Sequence, residues 1–185
     1  MRLRSIPAIA AAFGFLALPL PAEQGRPGEY QVKAVYLINF SRFVAWPPKP
    51  AATQPGSFSI CVLGRDPFGV ALDSALAGES IEGKSVVARR VAQAQDASGC
   101  RVLYISDSEE AHLKEVLAAL DKSAVLTVSD IPKFSQRGGM IQFVLQGDRV
   151  PFEVNITSAS EAGLTLSAEL LKVAAAVRRI AQPGA

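Results

Sequence analysis

The stretch Phe58–Leu76, FSICVLGRDPFGVALDSAL, decides the fold. Its first six residues are too few for a helix, and their β-branched and aromatic character suits a buried strand. Gly64-Arg65-Asp66-Pro67-Phe68-Gly69 follows as a turn, in which Asp66 can cap a helix whose first position is Pro67. The pattern then predicts a helix to about Leu76. An apolar strand running through a capped turn into a helix is the repeating unit of a parallel sheet covered on both faces.

The same alternation recurs downstream. Gly78 to Gly83 reads as a turn, Lys84 to Val91 as a second strand, and Gln93 to Gly99 as a short polar connection. Arg101 to Ile105 is a third strand. Ser106-Asp107-Ser108-Glu109 offers a capping box for a helix through Leu120. Ala124 to Val128 is a fourth strand, and Ser129 to Gly139 is mostly loop, punctuated by Pro132 and Gly138-Gly139. Met140–Gln146, Gly147-Asp148 and Arg149–Ile156 read as a β-hairpin. A closing helix is expected over Ser167–Ala181, with Leu170, Ala174, Val177 and Ala181 on one face. The expected fold is α/β: a mostly parallel central sheet flanked by helices on both faces, with a C-terminal antiparallel hairpin.

Upstream, Tyr30 to Trp46 is almost all apolar but is interrupted by Lys33, Asn39 and Arg42. It is too short and too interrupted to span a bilayer, which takes roughly 20 residues. Val32, Val35, Tyr36, Phe40 and Phe43 repeat at helical spacing, and Ala34, Leu37, Ile38 and Ser41 widen the apolar arc. A helix buried on most sides is expected, stopped by Pro47-Pro48-Lys49-Pro50, with loop through Gly56.

The N-terminus sets the compartment. Met1-Arg2-Leu3-Arg4, the apolar stretch Ile6–Leu20 and the small-residue site Leu20-Pro21-Ala22 have the layout of a secretory signal peptide. Residues 1–22 are thus expected to be removed, leaving 23–185 as a single secreted domain; a retained anchor is the alternative. Loss of Arg2 and Arg4 turns the formal charge of +2 into a balance of 17 basic and 17 acidic residues. A neutral chain without Lys/Arg clusters lacks the electrostatic footprint of a nucleic-acid binder or of a protein held on anionic lipid. Cys61 and Cys100 are the only cysteines. In an oxidising compartment they are expected to form one disulfide, with two buried thiols as the alternative.

Catalytic constellations are sparse. His112 is the single histidine, beside Glu109 and Glu110 on a helical stretch, and one histidine cannot build a metal site. GxSxG, HExxH and Walker sequences are absent, and no cofactor or catalytic residue is assigned. Asp66 and Pro67 would repel an anion and remove a donor where α/β folds place a phosphate loop, so that segment is a turn and cap. In Pro151-Phe152-Glu153-Val154-Asn155-Ile156, alternation puts Glu153 and Asn155 on the face opposite Phe152, Val154 and Ile156. If helices cover both faces, Glu153 is either partnered, with Arg42 as the candidate, or presented at a partner or ligand site. Otherwise the strand is an edge with one wet face. Val173 and Ile180 fall off the apolar stripe of the closing helix, beside Leu164 and Leu166. Leu164, Val173 and Ile180 are therefore candidates for a partner-binding surface, unless that helix is buried on all sides.

Several runs together resemble the YfiR-like family of periplasmic proteins. They are Lys33-Ala34-Val35-Tyr36-Leu37-Ile38-Asn39-Phe40, Phe43-Val44-Ala45-Trp46-Pro47, Cys61 to Gly69, Gly83-Lys84 with Arg89-Arg90, and Cys100 to Ser106. Thr127 to Asp130, Gly138 to Ile141, Phe152 to Asn155 and Ala162-Gly163-Leu164 continue the match in order over nearly the whole mature chain. The resemblance implies a non-enzymatic regulator that binds the periplasmic sensor region of an inner-membrane diguanylate cyclase and holds it inactive. An outer-membrane lipoprotein would sequester it under stress, so that cyclic di-GMP and biofilm growth rise. Homodimers occur in that family, and small aromatic ligands have been proposed for it. Relatives also work beside sensor kinases, so a small-ligand receptor with another membrane partner is the alternative. The second cysteine pair of better-known members is missing here, and with it any redox control through that pair.

Overall fold

The computed structural model describes residues 28–48, 56–147 and 149–180. The expected leader over 1–22, most of the loop after Pro48, Asp148 of the hairpin turn and the end of the expected closing helix at Ala181 lie outside these residues. In chain order the elements are α1 (Glu29–Arg42), β1 (Val44–Ala45), β2 (Phe58–Leu63), α2 (Val70–Leu76), β3 (Ser80–Ile81), β4 (Lys84–Val91), β5 (Val102–Ile105) and α3 (Leu113–Ala119). They continue with β6 (Leu126–Ser129), β7 (Ile141–Phe143), β8 (Phe152–Asn155), α4 (Ile156–Glu161), β9 (Thr165–Leu166), α5 (Ala168–Val173) and β10 (Ala176–Arg178).

Among the described residues the main sheet runs β10-β8-β7-β6-β5-β2-β4-β3. The five strands from β7 to β4 are parallel to one another. β8 lies antiparallel to β7, which is the expected hairpin. β2 is central, between β4 and β5, so the winding direction reverses there. Period-two alternation then divides the core. Ile60, Val62, Val102 and Tyr104 face α1 and α2, whereas Cys61, Leu63, Leu103 and Ile105 face α3. Burying every side chain of β2, β5 and β6 on both faces is what makes these strands read as continuous apolar runs. The Cys61–Cys100 disulfide joins β2 to the residue two before β5, with Cα atoms 6.0 Å apart.

Two elements depart from the sequence pattern. The closing helix stops at Val173, Ala174 is extended, and Ala176–Arg178 pairs parallel with β8 as β10. The alanine-rich run has ample helix propensity, but the open edge of β8 offers backbone partners: Ala175 N donates to Phe152 O at 2.8 Å. Consequently β8 is not an edge strand with a wet face. Secondly, the buried side of α1 is Lys33, Ala34, Leu37, Ile38, Phe40 and Ser41. Val32 and Val35, which begin the first apolar stripe, are 46% and 50% exposed. The helix also ends at Arg42, and Val44–Ala45 pairs with β9 as a small separate sheet.

Candidate partner-binding surface

The crevice where the winding reverses is where open α/β sheets usually receive ligands. Here the protein fills it with its own groups. Asp66 Oδ1 accepts from the N–H of Phe68 (2.8 Å) and Gly69 (3.3 Å), occupying donors that a phosphate would use. Its Oδ2 accepts from Arg90 Nε at 2.8 Å, and Arg90 also holds both oxygens of Asp73. Gly64 has φ +85°, and a Cβ there would sit 2.4 Å from Ser108 Oγ, whose oxygen accepts from Arg65 N at 2.9 Å. The capped turn read from the sequence is present, although the regular helix begins at Val70 rather than Pro67.

Glu153 lies in a polar cluster formed by three segments. Arg178 of β10 donates to it twice, Nε to Oε2 at 2.7 Å and Nη2 to Oε1 at 2.8 Å. Ser135 Oγ donates to Oε2 at 2.9 Å, while Ser135 N donates to Gln142 Oε1 at 3.1 Å. The Arg178 guanidinium, with the Ser135 hydroxyl, holds the Glu153 carboxyl below the usual range against the opposing effect of partial burial. Arg42 is not its partner: that side chain is exposed and pairs with Glu79 at 2.5 Å. Sequence reasoning missed Arg178 because a helical reading of Ser167–Ala181 turned it away from β8.

Asn155 is fully buried, and its side chain is spent on the fold. Oδ1 accepts from Thr157 N (3.1 Å) and Ser158 N (3.3 Å) as the cap of α4, and Nδ2 donates to the carbonyls of Ser135 and Ile180, both at 2.9 Å. The Asn-Ile-Thr-Ser sequence carries that cap signal. Leu164 is 3% exposed within the core and offers no surface. Val173 is 71% exposed and Ile180 half-buried, so of the three expected surface residues Val173 is the one fully available.

A second buried cluster was visible in the sequence only as an interruption of α1. Lys33, fully buried, donates to the Glu29 carboxylate and to Asp130 Oδ2 (2.8 Å), and lies 4.4 Å from the Tyr30 ring centroid. Tyr30 Oη donates to Asp130 Oδ2 at 3.1 Å. Burial first, then the Asp130 charge, pushes the Tyr30 and Tyr104 phenols up, so both stay protonated. One ammonium shared between two carboxylates, enclosed by Tyr30, Tyr104 and Phe143, fastens the first turns of α1 to the end of β6. His112 is exposed at the end of a short 3-10 helix, Asp107–His112.

The exposed apolar side chains gather elsewhere. Val32, Val35 and Tyr36, with Gln31 and Asn39, line a shallow groove of about 470 Å³ along α1. Its floor is firm: Tyr36 packs on Phe40 at 5.6 Å and on Phe143 and Phe152, each at 5.8 Å. Among the described residues no helix is long and apolar enough to cross a membrane.

A sheet of this order, with helices on both faces and its winding-reversal crevice filled by the protein's own groups, defines an open-sheet α/β domain. The chain belongs to the YfiR/HmsC-like family (DUF4154), whose model matches residues 30–175. Solved structures of similar fold include a conserved domain protein from Vibrio cholerae O1 biovar eltor, with TM-score 0.56, 12% identity, and coverage of 81% of this chain and 60% of that one. Another is the ABC domain in complex with L-Trp from Streptococcus pneumonia, with TM-score 0.54, 12% identity, and coverage of 78% and 60%. The chain thus spans 60% of the length of each, and at this identity the likeness concerns the fold alone.

Proposed function

We propose that this protein is a periplasmic negative regulator that binds the sensor region of an inner-membrane diguanylate cyclase and restrains cyclic di-GMP synthesis. Membership of the YfiR/HmsC-like family carries the reading. The apolar side chains left at the surface after the core is satisfied support it, because such groups mark protein contacts. An outer-membrane lipoprotein that sequesters the regulator completes the circuit. Val173 and Ile180 belong to the regulatory surface, with the Glu153–Arg178 pair beside them as a support for β10 and not as a free carboxylate. A small ligand would find the winding-reversal crevice already filled by Asp66, Ser108 and Glu109, which favours a protein partner over a small ligand. Deleting the gene should raise cellular cyclic di-GMP several-fold by mass spectrometry. Wild-type protein should restore it, whereas a stably folded Val173→Glu protein should restore it only partly. An unchanged cyclic di-GMP level in the deletion strain would remove this function.

A further inference from the structure

The N-terminal ends of the parallel strands, opposite the filled crevice, enclose a pair of donors without acceptors. Arg101 comes immediately before β5 and is 8% exposed. Its backbone is fixed between two neighbouring strands: Arg101 N donates to Ser59 O at 2.9 Å, and its carbonyl accepts from Leu126 N at 2.8 Å. Its guanidinium carbon lies 5.7 Å from the ring centroid of Trp46, which in turn packs edge-on against Phe58 at 5.3 Å. Arg101 Nη1 and Trp46 Nε1 are both buried, and neither has a hydrogen-bond partner.

A buried ion is costly unless it is paired. Among the described residues Lys33, Arg42, Arg90, Arg137 and Arg178 find carboxylates, and Arg101 joins none of these ion pairs. The stretch that follows Trp46, Pro47 to Ser57, contains no Asp or Glu to supply one. Trp46 is no substitute, because the indole is a donor only and attracts the guanidinium through its ring face alone. Water would satisfy the two N–H groups but leave the charge uncompensated. An apolar side chain at this position would pack on Trp46 at lower cost, so packing does not account for the guanidinium. We propose that Arg101 and Trp46 form a carboxylate-binding site at this end of the sheet. Charge and shape choose the ligand class. The pair offers one positive charge on a planar fork and one uncharged N–H, which suits a planar monoanion. A phosphate group carries about two negative charges and is less well matched. The carboxylate is borne either by a free organic acid or by an acidic side chain of a partner protein, and reaches Arg101 past the partly exposed Trp46. The inference does not depend on the identity of the membrane partner.

Trp46 is the only tryptophan, so its fluorescence reads the site directly. The mature chain should show a saturable change on titration with sodium acetate at constant ionic strength, and sodium chloride should give none. Acetate should also raise Tm, because a ligand that binds only the native state stabilises it. Arg101→Met removes the unpaired charge and keeps a packing side chain. It should melt no lower than wild type in chloride and bind acetate about ten-fold or more weakly. Trp46→Phe, followed by Tm alone, loses the indole N–H and should show a smaller acetate shift. An N-acetylated, amidated Ala-Glu-Ala tripeptide separates the two sources. Saturation by acetate alone supports a free acid, and saturation by the tripeptide as well supports a partner's side chain. Wild-type protein that responds to acetate no more than to chloride would overturn the proposal. So would an acetate response matched by phosphate, or one that survives Arg101→Met. Should Arg101→Met not fold, an undiminished acetate shift in Trp46→Phe overturns the site instead.

Discussion

Glu153 shows how one side chain acquires a role that its position in a strand does not announce. Alternation correctly separated it from Phe152 and Val154, but could not say what met it there. The answer is a guanidinium two strand residues along β10, in a two-pronged contact whose geometry fixes both partners. Its depressed pKa has a definite sign in the pH dependence of stability. The contribution of the pair is fully present above the unfolded carboxylate value, about 4.3, and disappears as pH falls through the lower folded value. Glu153→Gln should therefore cost about 2 kcal/mol at neutral pH, as expected for charge-assisted hydrogen bonds. The gap from wild type should close as pH falls below about 4. Urea titrations at pH 7 and pH 3 measure this, and an equal gap at both would mean that the carboxylate's charge contributes nothing. Lys33 makes the complementary point. A lysine within an apolar helix was legible as an anomaly, but its partner Asp130 lies 97 positions away and no local pattern connects them.

Elements were legible wherever local pattern and tertiary demand agree. β2, β5 and β6 carry continuous runs because they are covered on both sides, and the hairpin of β7 and β8 was marked by Gly147-Asp148. They fail to agree in two places. Both faces of α1 are apolar, so periodicity found the helix but could not say which face the sheet takes; the buried Lys33 side won because Asp130 and Glu29 neutralise it. Residues 174–178, Ala-Ala-Ala-Val-Arg, prefer helix as an isolated segment, and the open edge of β8 overrides that preference. Asn155 reads in the sequence as a polar strand residue, and its cap signal is passed over because the helix it starts is only six residues long. The edge argument is testable. A chain ending after Ala174 loses β10, removes Arg178 from Glu153, and leaves the backbone of β8 without its outer neighbour. This truncation should aggregate on concentration and melt well below the full chain, by light scattering and calorimetry. A soluble truncation with unchanged melting would show β10 to be an appendage.

The molecule as a whole divides across its sheet into a stabilising side and a side proposed for recognition. Cys61 and Cys100 lie in the core layer against α3, together with Leu103, Ile105 and Phe134. Trp46 and α5, which carries the exposed Val173, belong to the opposite layer with α1, α2, Tyr104 and the aromatic cluster. The disulfide closes a loop of about 40 residues and constrains the unfolded chain by roughly 4 kcal/mol on the chain-entropy account. For a domain of this size 1 kcal/mol corresponds to about 2–4 °C of melting temperature, so its loss should lower Tm by roughly 10 °C. The replacement matters, because both thiols are buried among apolar groups. A serine there would add an unsatisfied hydroxyl on top of the lost cross-link, so Cys61→Ala with Cys100→Ala isolates the cross-link more cleanly. Because the five parallel strands separate the two layers, the double variant should keep its affinity for the membrane partner per folded molecule at a temperature well below its own Tm. Calorimetry and binding on the same preparation measure the two effects together. A variant that melts like wild type would show that the bridge does not constrain the unfolded chain. A variant that stays folded but binds ten-fold more weakly would show that the α3 layer shapes the recognition surface through the sheet, and that the two sides are coupled.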